Sequence, residues 1–142
     1  MNKQFKNSLS IISRIRENAN HFIIKKLAEV GFENLAPSHG DILAVLYNSN
    51  DVTMKSIADR IHRTKPTVTV LIDKLEKQGF VYRDKSEEDS RITYIRLTDL
   101  GDSFKPVFER ISAELNEMLY KDFAEDEIET LNFLLNKMEK NK

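Results

Sequence analysis

Apolar side chains recur at three- and four-residue intervals along most of this chain. Phe5, Leu9, Ile12, Ile15, Ala19, Phe22, Ile23 and Leu27 form the first such run, and that spacing places them on one face of a long α-helix. Gly31 closes the helix, with Phe32 behind it as the apolar contact of a C-terminal cap. A second helix is expected after Pro37, capped by Ser38 with Asp41 three residues on. It carries Ile42, Leu43, Val45, Leu46 and Tyr47 and ends between Asn48 and Asp51. A short helix follows Thr53 with Ile57, Ala58 and Ile61 inward. After a brief turn, a full helix runs from a cap at Thr64 to Gly79 with Val68, Leu71, Ile72 and Leu75 inward.

Beyond Gly79 the period falls from 3.6 to 2. Phe80-Val81-Tyr82-Arg83-Asp84-Lys85 and Arg91-Ile92-Thr93-Tyr94-Ile95-Arg96-Leu97 are rich in β-branched and aromatic residues, and the polar segment Ser86-Glu87-Glu88-Asp89-Ser90 separates them. This predicts a β-hairpin, with Arg83, Arg96 and Asp84 placed to pair across its strands. Thr98 caps one further helix containing Phe104, Val107, Phe108, Ile111, Leu115, Met118 and Leu119. A last helix, beginning near Ala124 without a Ser or Thr cap, holds Ile128, Leu131, Leu134, Leu135 and Met138. The fold class is therefore mainly α with a small β-hairpin wing. Helix, helix, short turn, helix and hairpin in that order over residues 38–97 make a winged helix-turn-helix lobe.

Composition adds three limits. The 142 residues fit a single domain, 1–142, able to bury its own core. Cysteine is absent, so neither a disulfide framework nor a peroxide-sensing thiol is available. The segment MNKQFKNSLSIISRIREN is polar and charged, with no apolar run suited to a signal peptide or a membrane span; a cytoplasmic protein with no membrane partner is expected. The formal net charge of −1 conceals an uneven distribution. Residues 54–97 carry ten Lys and Arg against seven Asp and Glu, whereas residues 98–142 carry six against eleven. A local basic surface suits phosphate, although ordinary solvated faces show similar excesses.

A helix that enters the DNA major groove must bury one face on its scaffold and show the other to base edges. In the helix from 64 to 79, Pro66, Val70, Asp73 and Lys77 lie opposite the apolar stripe, flanked by Lys65, Thr67, Thr69 and Lys74. Small hydroxyls, methyls and a lysine match base donors, acceptors and thymine methyls, and a helix N-terminus favours phosphate. A capped surface helix with solubilising lysines has the same composition, so the residues leave both readings open. Thr64 fits a helix cap better than a base contact.

The runs Thr67-Val68-Thr69, Asp73-Lys74-Leu75-Glu76-Lys77-Gln78-Gly79-Phe80-Val81-Tyr82-Arg83, Asp89-Ser90-Arg91 and Leu97-Thr98-Asp99-Leu100-Gly101 resemble those of the MarR (multiple antibiotic resistance regulator) family of bacterial transcription factors. The most specific part is D-x-R followed at the right distance by L-T-x-x-G. The resemblance covers nearly the whole chain. It implies a homodimer interlocked through residues 1–31 and 104–142, with the lobe 38–97 binding double-stranded DNA and repression as the common mode. The apolar content of the first and the last two helices agrees, since surfaces of that kind mark interfaces; packing within the monomer is the alternative. A two-fold dimer requires a pseudo-palindromic site with half-sites about 34–36 Å apart. In the wing, Arg91 resembles the family's minor-groove arginine and Asp89 the carboxylate that holds it. Lys55, Arg63, Lys74 and Lys85 are candidate phosphate anchors, each equally compatible with a plain solvated side chain. Val70 departs from the family, where a basic or polar residue is common, and suggests a thymine-methyl contact.

The resemblance also implies a small aromatic or phenolic effector bound between the dimerisation helices and the DNA lobe. His21, Phe22, Tyr47, Phe104 and Phe108 are the candidate lining residues, although aromatic residues on helices are usually core. No cofactor is expected. His21, His39 and His62 lie on separate segments without metal-ligand spacing, so no metal site is expected either. No phosphate-binding glycine loop, G-x-S-x-G elbow or catalytic thiol is present, so an enzyme is not expected. The contrasting class is a winged-helix module or anti-repressor that docks protein partners and has no operator of its own.

Overall fold

The computed structural model describes residues 3–141, with side chains from Asn7 onward; the side chain of Phe5 lies outside the described residues. Helix α1 (Lys3–Glu29) is the long amphipathic helix. Gly31 at φ +88° reverses the chain, and the Phe32 N–H donates to the Leu27 carbonyl at 2.8 Å, the left-handed ending that glycine makes accessible.

Helix α2 (Pro37–Asn48) starts a residue earlier than the expected Ser38 cap. Proline's fixed φ is already helical and its missing N–H costs nothing in the first turn, so Pro37 takes that place and Ala36 becomes the flanking residue. Ser38 and Asp41 then lie within the helix, and His39 performs the capping: its Nδ1 accepts the Ala36 N–H at 2.9 Å.

Strand β1 (Val52–Thr53) adds a third strand to the expected hairpin, and its two residues are too few to display a period. It leads into α3 (Met54–Ile61), where Thr53 Oγ1 accepts the Ser56 N–H at 3.2 Å. Next come α4 (Lys65–Lys77), β2 (Val81–Lys85) and β3 (Thr93–Leu97). The three strands form an antiparallel sheet in the order β1-β3-β2, with Val52 opposite Ile95 and Val81 opposite Leu97. The single helix expected after Thr98 is two: α5 (Asp99–Ser103) and α6 (Lys105–Tyr120). Pro106 has no N–H to return to the carbonyl four residues back, so the ladder breaks around Phe104. Helix α7 (Glu125–Glu139) follows an uncapped Ala124, whose N–H is taken instead by the Glu127 carboxylate at 2.9 Å.

The lobe is built around Ile42, Leu43, Ile57, Val68, Ile72 and Leu75, each at most 1% exposed. Burial of side chains this size stabilises by about 1.5–3 kcal/mol apiece, enough to fix α4 rigidly on α2 and α3. A ring triad joins this lobe to the helical base. Phe104 meets Phe32 at 4.8 Å and Phe80 at 5.4 Å, and Phe32 meets Phe80 at 5.7 Å, in the tilted and edge-on arrangements that aromatic quadrupoles favour.

The L-T-x-x-G segment explains itself in this frame. Thr98 Oγ1 accepts the Gly101 N–H at 3.1 Å and donates to the Gly79 carbonyl, while the Thr98 N–H donates to the Phe80 carbonyl at 3.1 Å. A Cβ on Gly101 would stand 2.2 Å from that Phe80 oxygen. Glycine is thus what lets α5 seat against the turn that follows α4.

Candidate nucleic-acid interface

Val68, Ile72 and Leu75 fasten one side of α4 to the core. Pro66, Asp73, Lys74 and Lys77 on the other sides are exposed, and Val70 is 68% exposed. Thr64 is the N-cap, accepting the Thr67 N–H at 3.4 Å; Lys65, Pro66 and Thr67 stand free of the core in the first turn. The hydroxyls are less available than the sequence implies. Thr69 Oγ1 donates to the Lys65 carbonyl at 2.9 Å, and the Thr64 and Thr67 hydroxyls share a bond of 2.9 Å. Threonine in a helix commonly bonds back to its own turn in this way.

The turn before α4 contains His62 at φ 56°, a left-handed position that closes α3. Arg63 beside it is exposed, as are Lys55 on α3, Lys74 on α4 and Lys85 at the end of β2. Among the described residues none of these four basic groups forms an ion pair, whereas Arg83, Arg91 and Arg96 all do. They are therefore cations left open to an external anion.

Arg83 does not pair across the hairpin. Its guanidinium crosses to α4, where Nη2 contacts Asp73 Oδ1 at 2.6 Å and Nη1 contacts Glu76. The planar fork spans two carboxylates three residues apart, on adjacent turns of the helix. Half-exposed pairs of this kind add little to stability, but this one neutralises the two acidic groups of α4. The signal was present in the sequence as an arginine shortly after a helix bearing acids at positions i and i+3. Arg96 behaves as expected: its Nε meets Asp84 Oδ2 at 2.6 Å, diagonally across the strands, and its Nη2 meets Asp51 at 3.1 Å.

The wing tip is a tight loop, tied by Ser86 N–H to the Ile92 carbonyl at 2.9 Å and Ile92 N–H to the Asp89 carbonyl at 3.0 Å. Asp89 holds Arg91 through three bonds. Arg91 Nε and backbone N–H reach Oδ1 at 3.0 Å each, and Nη2 reaches Oδ2 at 2.9 Å. The Arg91 side chain, then its backbone N–H, hold the Asp89 carboxyl below its ordinary pKa; the same bond raises that of Arg91. Arg91 nevertheless remains 88% exposed, oriented by one carboxylate and open on its far side. Glu87 and Glu88 are exposed beside it.

A cavity of about 190 Å³ lies among α1, α2 and α6, lined by Ile23, Leu27, Pro37, Leu43, Phe104 and Phe108 among others. Of the five candidate lining residues, Phe104 and Phe108 stand on its wall, whereas His21, Phe22 and Tyr47 do not line it. Along α1, Ile23 and Leu27 set the facing side, and each residue turns by roughly 100°, which rotates Phe22 and His21 away. Phe22 lies under the Lys26 ammonium at 5.5 Å, and His21 is exposed. Tyr47 packs against Phe108 at 5.3 Å and donates its hydroxyl to the Gly101 carbonyl at 2.7 Å. Burial, followed by the nearby Asp102 and Glu109 charges, pushes its pKa up to about 12. Among the described residues no group of three or more His, Cys, Asp or Glu side chains is arranged to hold a metal, and no helix is long and apolar enough to cross a membrane.

The MarR family model matches residues 35–93, from the start of α2 into β3. The HTH-type transcriptional regulator MhqR of Bacillus subtilis (strain 168) is 27% identical over 129 residues, spanning 90% of this chain and 86% of MhqR. SarZ of Staphylococcus haemolyticus (strain JCSC1435), also an HTH-type transcriptional regulator, is 33% identical over 90 residues, 63% of this chain and 60% of SarZ. Among solved structures, the S. aureus MepR–DNA complex superposes with a TM-score of 0.82 at 26% identity, covering 97% of this chain and 96% of MepR. A MarR transcriptional regulator from Methanosarcina mazei Go1 gives 0.79 at 27% identity, with 96% of each chain covered. The lobe, the wing and the terminal helices thus recur together in these relatives, and the chain belongs to the MarR family.

Proposed function

We propose that this protein is a sequence-specific DNA-binding transcriptional regulator that acts in the cytoplasm as a homodimer, repressing from a pseudo-palindromic operator until a small aromatic or phenolic ligand releases it. One observation carries the reading: a rigidly mounted helix with an exposed, capped N-terminus stands in the same lobe as a wing arginine held by Asp89 and open to solvent. In this reading Thr64, Lys65, Pro66, Thr67, Thr69, Val70 and Lys74 face the major groove, and Lys55, Arg63 and Lys85 hold phosphates. Arg91 enters the minor groove, where narrow, negatively charged stretches attract arginine. The MepR–DNA complex among the structural relatives supports a DNA partner.

Support for the homodimer comes from apolar surface that the single chain leaves bare. Helix α7 buries no residue, and Phe133, Leu134 and Met138 are 66%, 51% and 49% exposed. Leu134 and Met138, with Ile11, Ile15 and Phe123, border a groove of about 500 Å³ between α1, α6 and α7. An apolar surface of this kind is stable in water when a second copy covers it. The cavity beside Phe104 and Phe108, between these helices and the lobe, supports the ligand. The family supports a regulator rather than an enzyme.

The test is selection of bound sequences from random duplex DNA by the purified protein at two salt concentrations. A pseudo-palindrome with half-sites about one helical turn apart is the expected result. Weak, sequence-independent binding at both concentrations would instead favour a lobe that docks proteins.

A further inference from the structure

We propose that the recognition helix reads thymine methyl groups, with Val70 making the discriminating contact, so that each operator half-site centres on A·T pairs. The inference rests on the DNA-binding reading above and specifies what the helix distinguishes.

Opposite the buried stripe of α4 runs the line Pro66, Val70, Asp73, Lys77. Base edges are met by the N-terminal part of a recognition helix, and there the line consists of Pro66 and Val70, whose side chains have no donor or acceptor. Asp73 comes next, with its carboxylate engaged by Arg83 at 2.6 Å. The hydroxyls that flank the line are turned inward on the helix. Thr69 gives its proton to the Lys65 carbonyl, and Thr64 and Thr67 bond each other. From Thr64 to Lys77 there is no arginine, asparagine or glutamine. Arginine is the usual bidentate partner of guanine, and asparagine and glutamine are those of adenine. Lys65 and Lys74 lie to either side of the line as flexible point charges, which suits phosphate. The feature of the major groove that Pro66 and Val70 match is the thymine C5-methyl. Val70, a β-branched side chain 68% exposed on a rigid helix, offers it two methyl groups with little side-chain freedom to lose.

The experiment uses the duplex obtained by selection, with thymines replaced one position at a time by deoxyuridine, which removes only the methyl. Binding is measured by fluorescence anisotropy at fixed salt for the wild type and Val70→Ala. At one thymine of each half-site, deoxyuridine should weaken wild-type binding about fourfold, the value of one buried methyl group. Val70→Ala should bind both duplexes with similar affinity, at an unchanged melting temperature because the residue is exposed. Equal wild-type binding to every deoxyuridine duplex, or a selected half-site without thymine, would overturn methyl reading and leave the regulator standing. A full deoxyuridine penalty in Val70→Ala would overturn the assignment to Val70. Failure of selection to yield any preferred sequence would overturn both readings.

Discussion

Gly101→Ala tests whether the approach of α5 to the turn after α4 is as close as the geometry requires. The backbone of Gly101 is not left-handed, so alanine meets no conformational barrier and the added Cβ acts by contact alone. It would lie 2.2 Å from the Phe80 oxygen and 3.0 Å from Leu97 Cδ2, whereas close carbon–oxygen contacts settle at about 3.3 Å. Helix α5 must therefore withdraw by about 1 Å. That retreat strains three bonds: Thr98 N–H to the Phe80 carbonyl, Thr98 Oγ1 to the Gly79 carbonyl, and Tyr47 hydroxyl to the Gly101 carbonyl. At about 1 kcal/mol each, in line with overpacking in general, the loss is about 3 kcal/mol. Alanine returns about 1 kcal/mol through helix propensity and a less disordered unfolded chain, leaving a net loss of about 2 kcal/mol. With an unfolding entropy of about 2.1 cal/mol/K per residue, the melting temperature should fall by about 7 °C. Thermal unfolding followed by circular dichroism at matched protein concentration reads this directly. A shift within 2 °C of the wild type would refute the argument, since it would mean that the contact relaxes at no cost.

Three further outcomes are expected. Arg91→Ala should weaken DNA binding across sequences and reduce the slope of log affinity against log salt by about one; equal slopes for variant and wild type would remove the wing from the interface. His62→Gly should raise stability by about 0.5 kcal/mol, because roughly 1 kcal/mol of left-handed strain is relieved and about half is returned through unfolded-chain entropy; a lower melting temperature would contradict strain at φ 56°. Burial, followed by the charge of Lys74, holds the His39 pKa below 6.5. The folded protein then binds fewer protons than the unfolded chain between the two values, so stability falls as pH drops below 6.5. His39→Asn should flatten the dependence of melting temperature on pH around that value, and an unchanged slope would assign the proton to another group.

The helices with a sustained stripe and a local stop were legible in the sequence, because period and cap are written in neighbouring residues: α1 with Gly31, α4 between Thr64 and Gly79, and the hairpin around Asp89. What escaped depends on contacts between distant segments. Strand β1 exists because Val52 finds Ile95, a pairing 43 positions away that no window contains. The division of α5 from α6 was readable from Pro106, but the strong apolar spacing from Phe104 to Leu119 outweighed it. Ser38 looked like a cap until Pro37 claimed the first turn. In the interface, Asp89 and Arg91 were visible as a local pair, whereas the reach of Arg83 to Asp73 and Glu76 required the strand and helix to be placed side by side. The cavity followed the same rule: Phe104 and Phe108 fall on its wall, but the orientation of Tyr47 is set by a hydrogen bond to Gly101 that composition does not reveal.

Phe104 belongs to two neighbourhoods at once. It lines the cavity among α1, α2 and α6, and it is wedged between Phe32 and Phe80. The shape of the void and the posture of Phe80, which immediately precedes the wing, are therefore not independent quantities. A molecule that enlarged the void at this wall would shift the ring and with it the seam between base and lobe, whereas one that fitted the existing contour would leave the seam untouched. Size and outline at a single phenylalanine thus divide occupants that are felt in the lobe from those that are merely held.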